Sequence, residues 1–454
     1  MRDTIVSIIG GGNNDMIVCL ESQSNHPYAL EFRSLDLDAA AMPPLDTETN
    51  VTAYGAAVHK ALSDHPAIRA ELTDMFGQQV PQRAALRFLM KAPDAERFRW
   101  EAIHGGTEPR FLAMSELCTV SRLAPARIGS TLKAFTRPLR MFAFLSAAGI
   151  KADREMKTIC HQIVESKQNG LEIECTVFVA EQALLDEYRH KTAVGPLHNT
   201  GITIEQMPST ATQVANLLRD APVQFVHFFC HGIDRLGIQG LSIATTSDHE
   251  ANEANGNAES SSIFLSVTAL SEALALNSSV WVTVFNSCSG AEVLHQLFSM
   301  ALTVARKGCP YTVGMAEPID TAAATTFTQA FYGELFRIVG SKLTPGPAAG
   351  PVMFDFAPAV IPARRIIHDH CCAMPGSFGR WLLPVLYEAS HKPFLALQLP
   401  ADVASRVLAI ARTLRRMEEN TPEEVRDQIA ALLDNPPSVP PHFRPNRFGE
   451  FATP

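Results

Sequence analysis

From Pro138 onward the chain alternates strand-like apolar runs with segments of helical period, and this alternation limits the possible folds more than any other feature. Leu139 to Leu145, Leu171 to Val179, Ile202 to Glu205, Val223 to Phe229, Val280 to Phe285 and Tyr311 to Met315 read as strands. Between and after them, Ala152 to Lys167, Glu181 to Arg189, a segment that Ser209 or Thr210 can cap, Ala291 to Arg306 and Thr321 to Val339 read as helices. Strands separated by helices build a parallel sheet, because a parallel connection must cross over and the crossover is a helix. Continuous β-branched and aromatic runs such as Val223-Gln224-Phe225-Val226-His227-Phe228-Phe229 suit strands buried on both faces. The predicted fold class is therefore α/β, with a mostly parallel central sheet and helices on both faces.

The sequence divides into three stretches. Residues 1–135 read as a mixed α/β lead-in, with β-type runs at Thr4 to Ile9 and Met16 to Leu20, helix-period residues over Val51 to Met75 and a strand at Ala84 to Met90. The glycines at Gly10-Gly11-Gly12 do not follow GxGxxG spacing and precede no helix, so a hairpin turn is expected there. Residues 136–395 form the main α/β domain. Residues 396–454 are expected to carry appended helices and a proline-rich tail. Val403, Val407, Ile410, Leu414 and Met417 make an apolar stripe, Thr421-Pro422-Glu423-Glu424 starts a new helix, and Pro436 to Pro454 reads as an extended tail or partner-binding strip. Two further segments, Thr245 to Ser262 and Lys342 to Pro351, offer little to bury and are expected to be mobile.

Composition excludes several classes of function. The 47 acidic residues outnumber 38 basic ones, which leaves no electrostatic footprint for nucleic acid. Nine cysteines without paired spacing, and no secretory leader, point to free thiols in a reducing cytoplasm. No apolar run reaches the length of a membrane span. The cluster His368-Asp369-His370-Cys371-Cys372 holds metal-ligand side chains but lacks a second spaced pair, so neither a metal nor any other cofactor is expected.

Chemistry concentrates at two strand ends. One apolar run stops at Cys230-His231-Gly232 and another at Asn286-Ser287-Cys288-Ser289-Gly290. In an open parallel sheet the carboxyl edge is where ligands bind, so neighbouring strands would bring His231 and Cys288 together across 57 residues of sequence. A thiol beside an imidazole is the minimum for a cysteine nucleophile, and the helix expected after Cys288 favours its thiolate. Cys230 would point the other way along an extended chain and reads as packing. Asp320 precedes a helix and reads as its N-cap.

The blocks Phe228-Phe229-Cys230-His231-Gly232 and Phe285-Asn286-Ser287-Cys288-Ser289-Gly290 resemble the two signatures of the CHAT family, the caspase-like domains described with HetF and TPR proteins. Arg99-Trp100-Glu101, Phe111-Leu112-Ala113, Pro138-Leu139-Arg140, Ile319-Asp320-Thr321-Ala322, Phe331-Tyr332, Ala363-Arg364 and Trp381 to Tyr387 fall in the family's order. The resemblance implies a caspase-like fold and a cysteine endopeptidase. Cys288 would be the nucleophile, His231 the general base and acid, and the N–H groups of Gly232 and Cys288 the oxyanion hole. It also implies a protein substrate, activation by a protein partner or by oligomerisation, and a place in bacterial defence or regulated death. Metacaspases of the same clan carry Asp two residues before the nucleophile to bind a basic P1 side chain. Asn286 stands there in this chain, which makes it the S1 candidate and argues against a strong preference for Arg or Lys. A CHAT-fold scaffold, or a thiol hydrolase acting on small molecules, would use the same blocks.

Overall fold

The structure, a computed structural model, describes residues 2–11, 15–21, 30–77, 84–105, 111–124, 132–255, 261–286, 297–317, 319–343, 350–372, 374, 376–418, 421–435 and 438–451. It is a mixed α/β chain whose large sheet is mostly parallel. Two compact units interleave in sequence: residues 1–125 with 357–391, and residues 126–356 with 392–454.

In the first unit, strands run in the order Arg33–Leu35, Met16–Leu20, Arg2–Gly10, Ala84–Met90, Cys118–Leu123, Pro384–Glu388. Arg2–Gly10 pairs antiparallel with Met16–Leu20, as the glycine turn between them predicts, and the turn residues 12–14 lie outside the described residues. Arg2–Gly10, Ala84–Met90, Cys118–Leu123 and Pro384–Glu388 are parallel. The core of this unit is held partly by charge. Arg122, 1% exposed, donates two parallel hydrogen bonds to Glu101 at 3.0 Å and a third to Glu96 at 2.7 Å, which Tyr387 also contacts at 2.8 Å. Arg364, fully buried, donates to the carbonyls of Val120 and Pro384. Several of the outlying sequence blocks, around Glu101, Arg364 and Tyr387, are thus parts of one polar core. Breaking such a pair leaves a buried charge uncompensated.

The second unit contains six parallel strands in the order Tyr311–Met315, Val282–Phe285, Phe225–Phe229, Leu139–Leu145, Ile173–Val179, Ile202–Gln206. The chain starts at Leu139–Leu145, winds outward through two strands, and returns to place Phe225–Phe229 on the other side of the starting strand. That reversal is a topological switch point, where adjacent crossovers leave in opposite directions and open a crevice at the strands' carboxyl ends. Helices cover both faces. Asp153–Gln168 and Thr321–Lys342 meet the side of the sheet that carries His227 and Asn286. Ala211–Asp220 lies over the opposite side, against Phe142 and Phe178. On that side Phe178, Phe144, Phe228 and Phe285 stand at matching register on four adjacent strands, their rings stacked at 4.7, 5.1 and 5.5 Å.

Several expectations are corrected here. Of Thr245 to Ser262, residues 256–260 lie outside the described residues, and the part before them is ordered. Thr246–Ala254 is a helix started by a Thr245/Asp248 capping box, and the Asp248 carboxylate also accepts from Ser262 N at 2.9 Å and Ser262 Oγ at 2.7 Å. Local hydrogen bonding to one carboxylate supplies the order that apolar burial does not. The helix expected after Thr421 runs Glu423–Ala431, with Pro422 at its cap. The C-terminal segment is not wholly an extended strip, since Val439 and Phe451 are buried with Val403, Val407, Ile410 and Leu414 of the Ala401–Arg416 helix against Leu132, Ala134 and Leu397. Of Lys342 to Pro351, residues 344–349 lie outside the described residues. No helix among the described residues is long and apolar enough to cross a membrane.

Candidate active site

The two strands expected to carry the dyad are neighbours. Phe225–Phe229 and Val282–Phe285 pair in parallel with Phe225 opposite Val282 and Phe228 opposite Phe285, and the Asn286 N–H donates to the Phe228 carbonyl at 2.9 Å. Both strands therefore end at the same level of the sheet edge. Ser287, Cys288, Ser289 and Gly290 lie outside the described residues.

His231 follows its strand by two residues and opens a hairpin, His231–Arg235 pairing antiparallel with Ile238–Ile243. Its Nε2 is 2.7 Å from the carbonyl oxygen of Ala148, in the loop after the Leu139–Leu145 strand. The ring thus bridges to the far wall of the switch-point crevice. A carbonyl oxygen can only accept, so Nε2 carries the hydrogen, and in the neutral ring Nδ1 holds the lone pair. That loop is itself fastened: Ser146 N donates to the Phe229 carbonyl at 2.9 Å, Ser146 Oγ to the Ala244 carbonyl at 2.6 Å, and Ala152 N to Glu181 Oε1 at 2.7 Å. Gly232 pairs with Leu241 in the hairpin. Cys230 is buried, as a packing residue should be.

Asn286, the S1 candidate, is turned inward by its hydrogen bonds. It is 0% exposed, and its Nδ2 lies 2.9 Å from Glu155 Oε1, 3.0 Å from the Ala324 carbonyl and 2.9 Å from Thr328 Oγ1. The residue faces the covering helices, because register puts it on the side of the sheet that His227 occupies.

Sequence reasoning missed the group beneath the strand ends. Glu155, 0% exposed, stands 3.0 Å from His227 Nε2, and His227 Nδ1 is 3.1 Å from the Tyr332 hydroxyl. Burial, with Glu155 nearby, pushes the Tyr332 pKa well up, so this hydroxyl stays protonated. A signal existed in both cases. His227 interrupts an apolar strand, and Glu155 lies four residues before Ile159 on a stripe that otherwise buries Met156, Ile159 and Ile163.

The remaining cysteines are poor nucleophiles. Seven of the eight described ones are buried, and burial pushes Cys118 and Cys160 up to about 12. Cys372 is exposed, but partial burial and Asp369 raise its pKa too. Among the described residues no group of three or more side chains could hold a metal ion, and His368 meets only Asp369, Cys372 and aromatic rings in the contacts resolved for it. A groove of about 820 Å³ lies under the Ala211–Asp220 helix, lined by Phe142, Thr176, Phe178, Glu205 and Leu217, on the opposite face from Asn286.

Comparison with known proteins gives one family assignment. No curated protein sequence matches the chain. Two crystal structures of the Saccharomyces cerevisiae separase–securin complex align with it at 11% and 12% identity and TM-scores of 0.34 and 0.33, over 76% and 75% of this chain. The chain spans about 18% and 17% of the length of those separase-complex chains. The family model of the CHAT domain matches residues 52–344, well over half the chain, and includes both His231 and Cys288. The chain belongs to the CHAT-domain family.

Proposed function

We propose that this protein is a caspase-like cysteine endopeptidase that makes limited cleavages in a protein substrate, with His231 and Cys288 as its dyad. The observation that carries this reading is the hydrogen bond from His231 Nε2 to the Ala148 carbonyl, which supports Nδ1 as the base, at a sheet edge where the adjacent strand leads into Cys288. In the proposed reaction His231 takes the Cys288 proton and the thiolate adds to the scissile carbonyl. The N–H groups of Gly232 and Cys288 stabilise the oxyanion. His231 then protonates the leaving amine, and water, deprotonated by the same imidazole, hydrolyses the acyl-enzyme.

The setting proposed is the cytoplasm, with activation by a protein partner or by oligomerisation, in bacterial defence or regulated death. A scaffold reading built on the C-terminal tail loses part of its surface, because Val439 and Phe451 are buried in the unit's own core. Labelling with a peptidyl acyloxymethyl ketone, mapped by mass spectrometry, tests the proposal. Modification of Cys288 that His231→Ala abolishes supports an endopeptidase; no labelling supports a scaffold, and labelling only by non-peptide electrophiles supports a small-molecule hydrolase.

A further inference from the structure

We propose that Glu155 is a positioning residue for the dyad: its carboxylate is the common point on which the strand leading to His231 and the strand leading to Cys288 are aligned. This inference rests on the cysteine-peptidase reading. Three connections converge on it. His227 Nε2, four residues before His231, is 3.0 Å from Glu155 Oε1, an ion-pair contact when the ring is protonated and not a hydrogen bond by geometry. Asn286 Nδ2, two residues before Cys288, is 2.9 Å from the same oxygen. Thr328 Oγ1 donates to that oxygen at 2.5 Å, tying in the Thr321–Lys342 helix.

The third strand-end element is reached through the backbone. Glu155 lies in the first turn of the Asp153–Gln168 helix, where the helix dipole favours a negative charge. Seven residues earlier in the same connection stands Ala148, whose carbonyl orients the His231 ring. A shift of Glu155 therefore bears on both walls of the crevice and on the strand leading to the nucleophile.

The cluster is poorly explained as a device for stability alone. Burying a carboxylate carries a desolvation penalty that apolar side chains of the same volume do not. Glu155 Oε2, His227 Nε2 and Asn286 Oδ1, all buried, also have no hydrogen-bond partner among the described residues. Side chains placed only to stabilise would satisfy those atoms. What the arrangement supplies is direction, since the His227 and Asn286 contacts set two strand ends, and the Thr328 contact a covering helix, relative to the same atom.

The test is the pH dependence of Cys288 alkylation by iodoacetamide, resolved by mass spectrometry, in the full-length protein and in His231→Ala, Glu155→Gln and Thr328→Val variants. Wild type is expected to show an inflection below the free-thiol value of about 8.5, lost in His231→Ala. Glu155→Gln and Thr328→Val are expected to move the inflection up by about one pH unit and to slow alkylation at pH 7 about tenfold, with circular dichroism unchanged. Thr328→Val keeps the side-chain shape and decides the matter if Glu155→Gln does not fold. A wild-type inflection in the folded variants, alongside its loss in His231→Ala, overturns the positioning role and leaves the dyad standing. An unperturbed thiol in the wild type overturns the dyad itself and this inference with it.

Discussion

His231 Nε2 is 2.7 Å from the carbonyl oxygen of Ala148, a residue on the connection that leaves the neighbouring strand on the opposite side of the switch point. The contact joins the two walls of the crevice and assigns the imidazole hydrogens at once. Replacing His231 by Ala should lower peptide cleavage about a thousandfold, in the range for losing one general acid–base group. Cys288→Ala should remove it altogether, and the double variant should be no worse than Cys288→Ala, since the two act as a unit. Single-turnover kinetics on the three variants checks this.

Asn286→Asp should not create a preference for Arg or Lys at P1. The change sets a second carboxylate about 2.9 Å from Glu155 Oε1 in a site with no exposure. Repulsion raises the folded-state pKa of one of the two carboxyls, so the folded chain keeps a proton that the unfolded chain releases. The penalty, about 3 kcal/mol at pH 7, should therefore shrink as pH falls towards 4. Urea unfolding at the two pH values measures it, and a peptide library reads the P1 preference.

Asp248 closes the ends of the Thr246–Ala254 insertion and should make it sensitive to acid. Burial pushes its pKa up, but hydrogen bonds from Thr245 and Ser262 outweigh this and hold it below the usual carboxylate range. A depressed carboxyl stabilises above its unfolded pKa of about 3.9, and that contribution is lost as pH falls through the lower, folded value. Limited proteolysis should cut the insertion faster once the pH drops below about 4. Asp248→Ala should give the same cleavage at pH 7, at a cost of about 1 kcal/mol for the lost cap.

Lys133 is buried, and burial, reinforced by Arg415 of the Ala401–Arg416 helix, lowers its pKa to about 7. The folded chain then holds fewer protons than the unfolded chain between about pH 7 and 10.5. Stability should rise with pH across that window, by up to about 1.4 kcal/mol per unit. Lys133→Met should flatten this slope and raise the melting temperature most at pH 7 and below. Thermal unfolding from pH 6 to 10 checks the sign.

The central strands were legible because most of them are apolar runs bounded by polar residues, whereas Arg33–Leu35 and Cys118–Leu123, which mix polar and apolar residues, were not read as strands. Tyr311–Met315 and Leu139–Leu145 match the pattern residue for residue. Strand order was not legible, since periodicity shows what a strand buries and not which strand lies beside it. Ala148 was invisible for that reason: its role lies in a backbone carbonyl, and only the neighbouring of Leu139–Leu145 and Phe225–Phe229 brings it to His231. The partners of Asn286 were not legible either, because alternation gives the side of a strand and not what covers that side. The Asp248 clamp was missed for a related reason, as a segment with nothing apolar to bury can still be ordered by hydrogen bonds to one carboxylate.

The central claim is that Cys288, paired with His231, cuts a protein chain. The most direct measurement is a proteome-wide search for new protein N-termini in cells carrying the intact chain, against cells carrying Cys288→Ala or His231→Ala at equal abundance. The account predicts one or a few new N-termini that appear with the intact chain under the activating condition and are absent from both variants. Identical sets of N-termini in all three, with the intact chain labelled at Cys288 by a peptidyl electrophile and hence active, would contradict it.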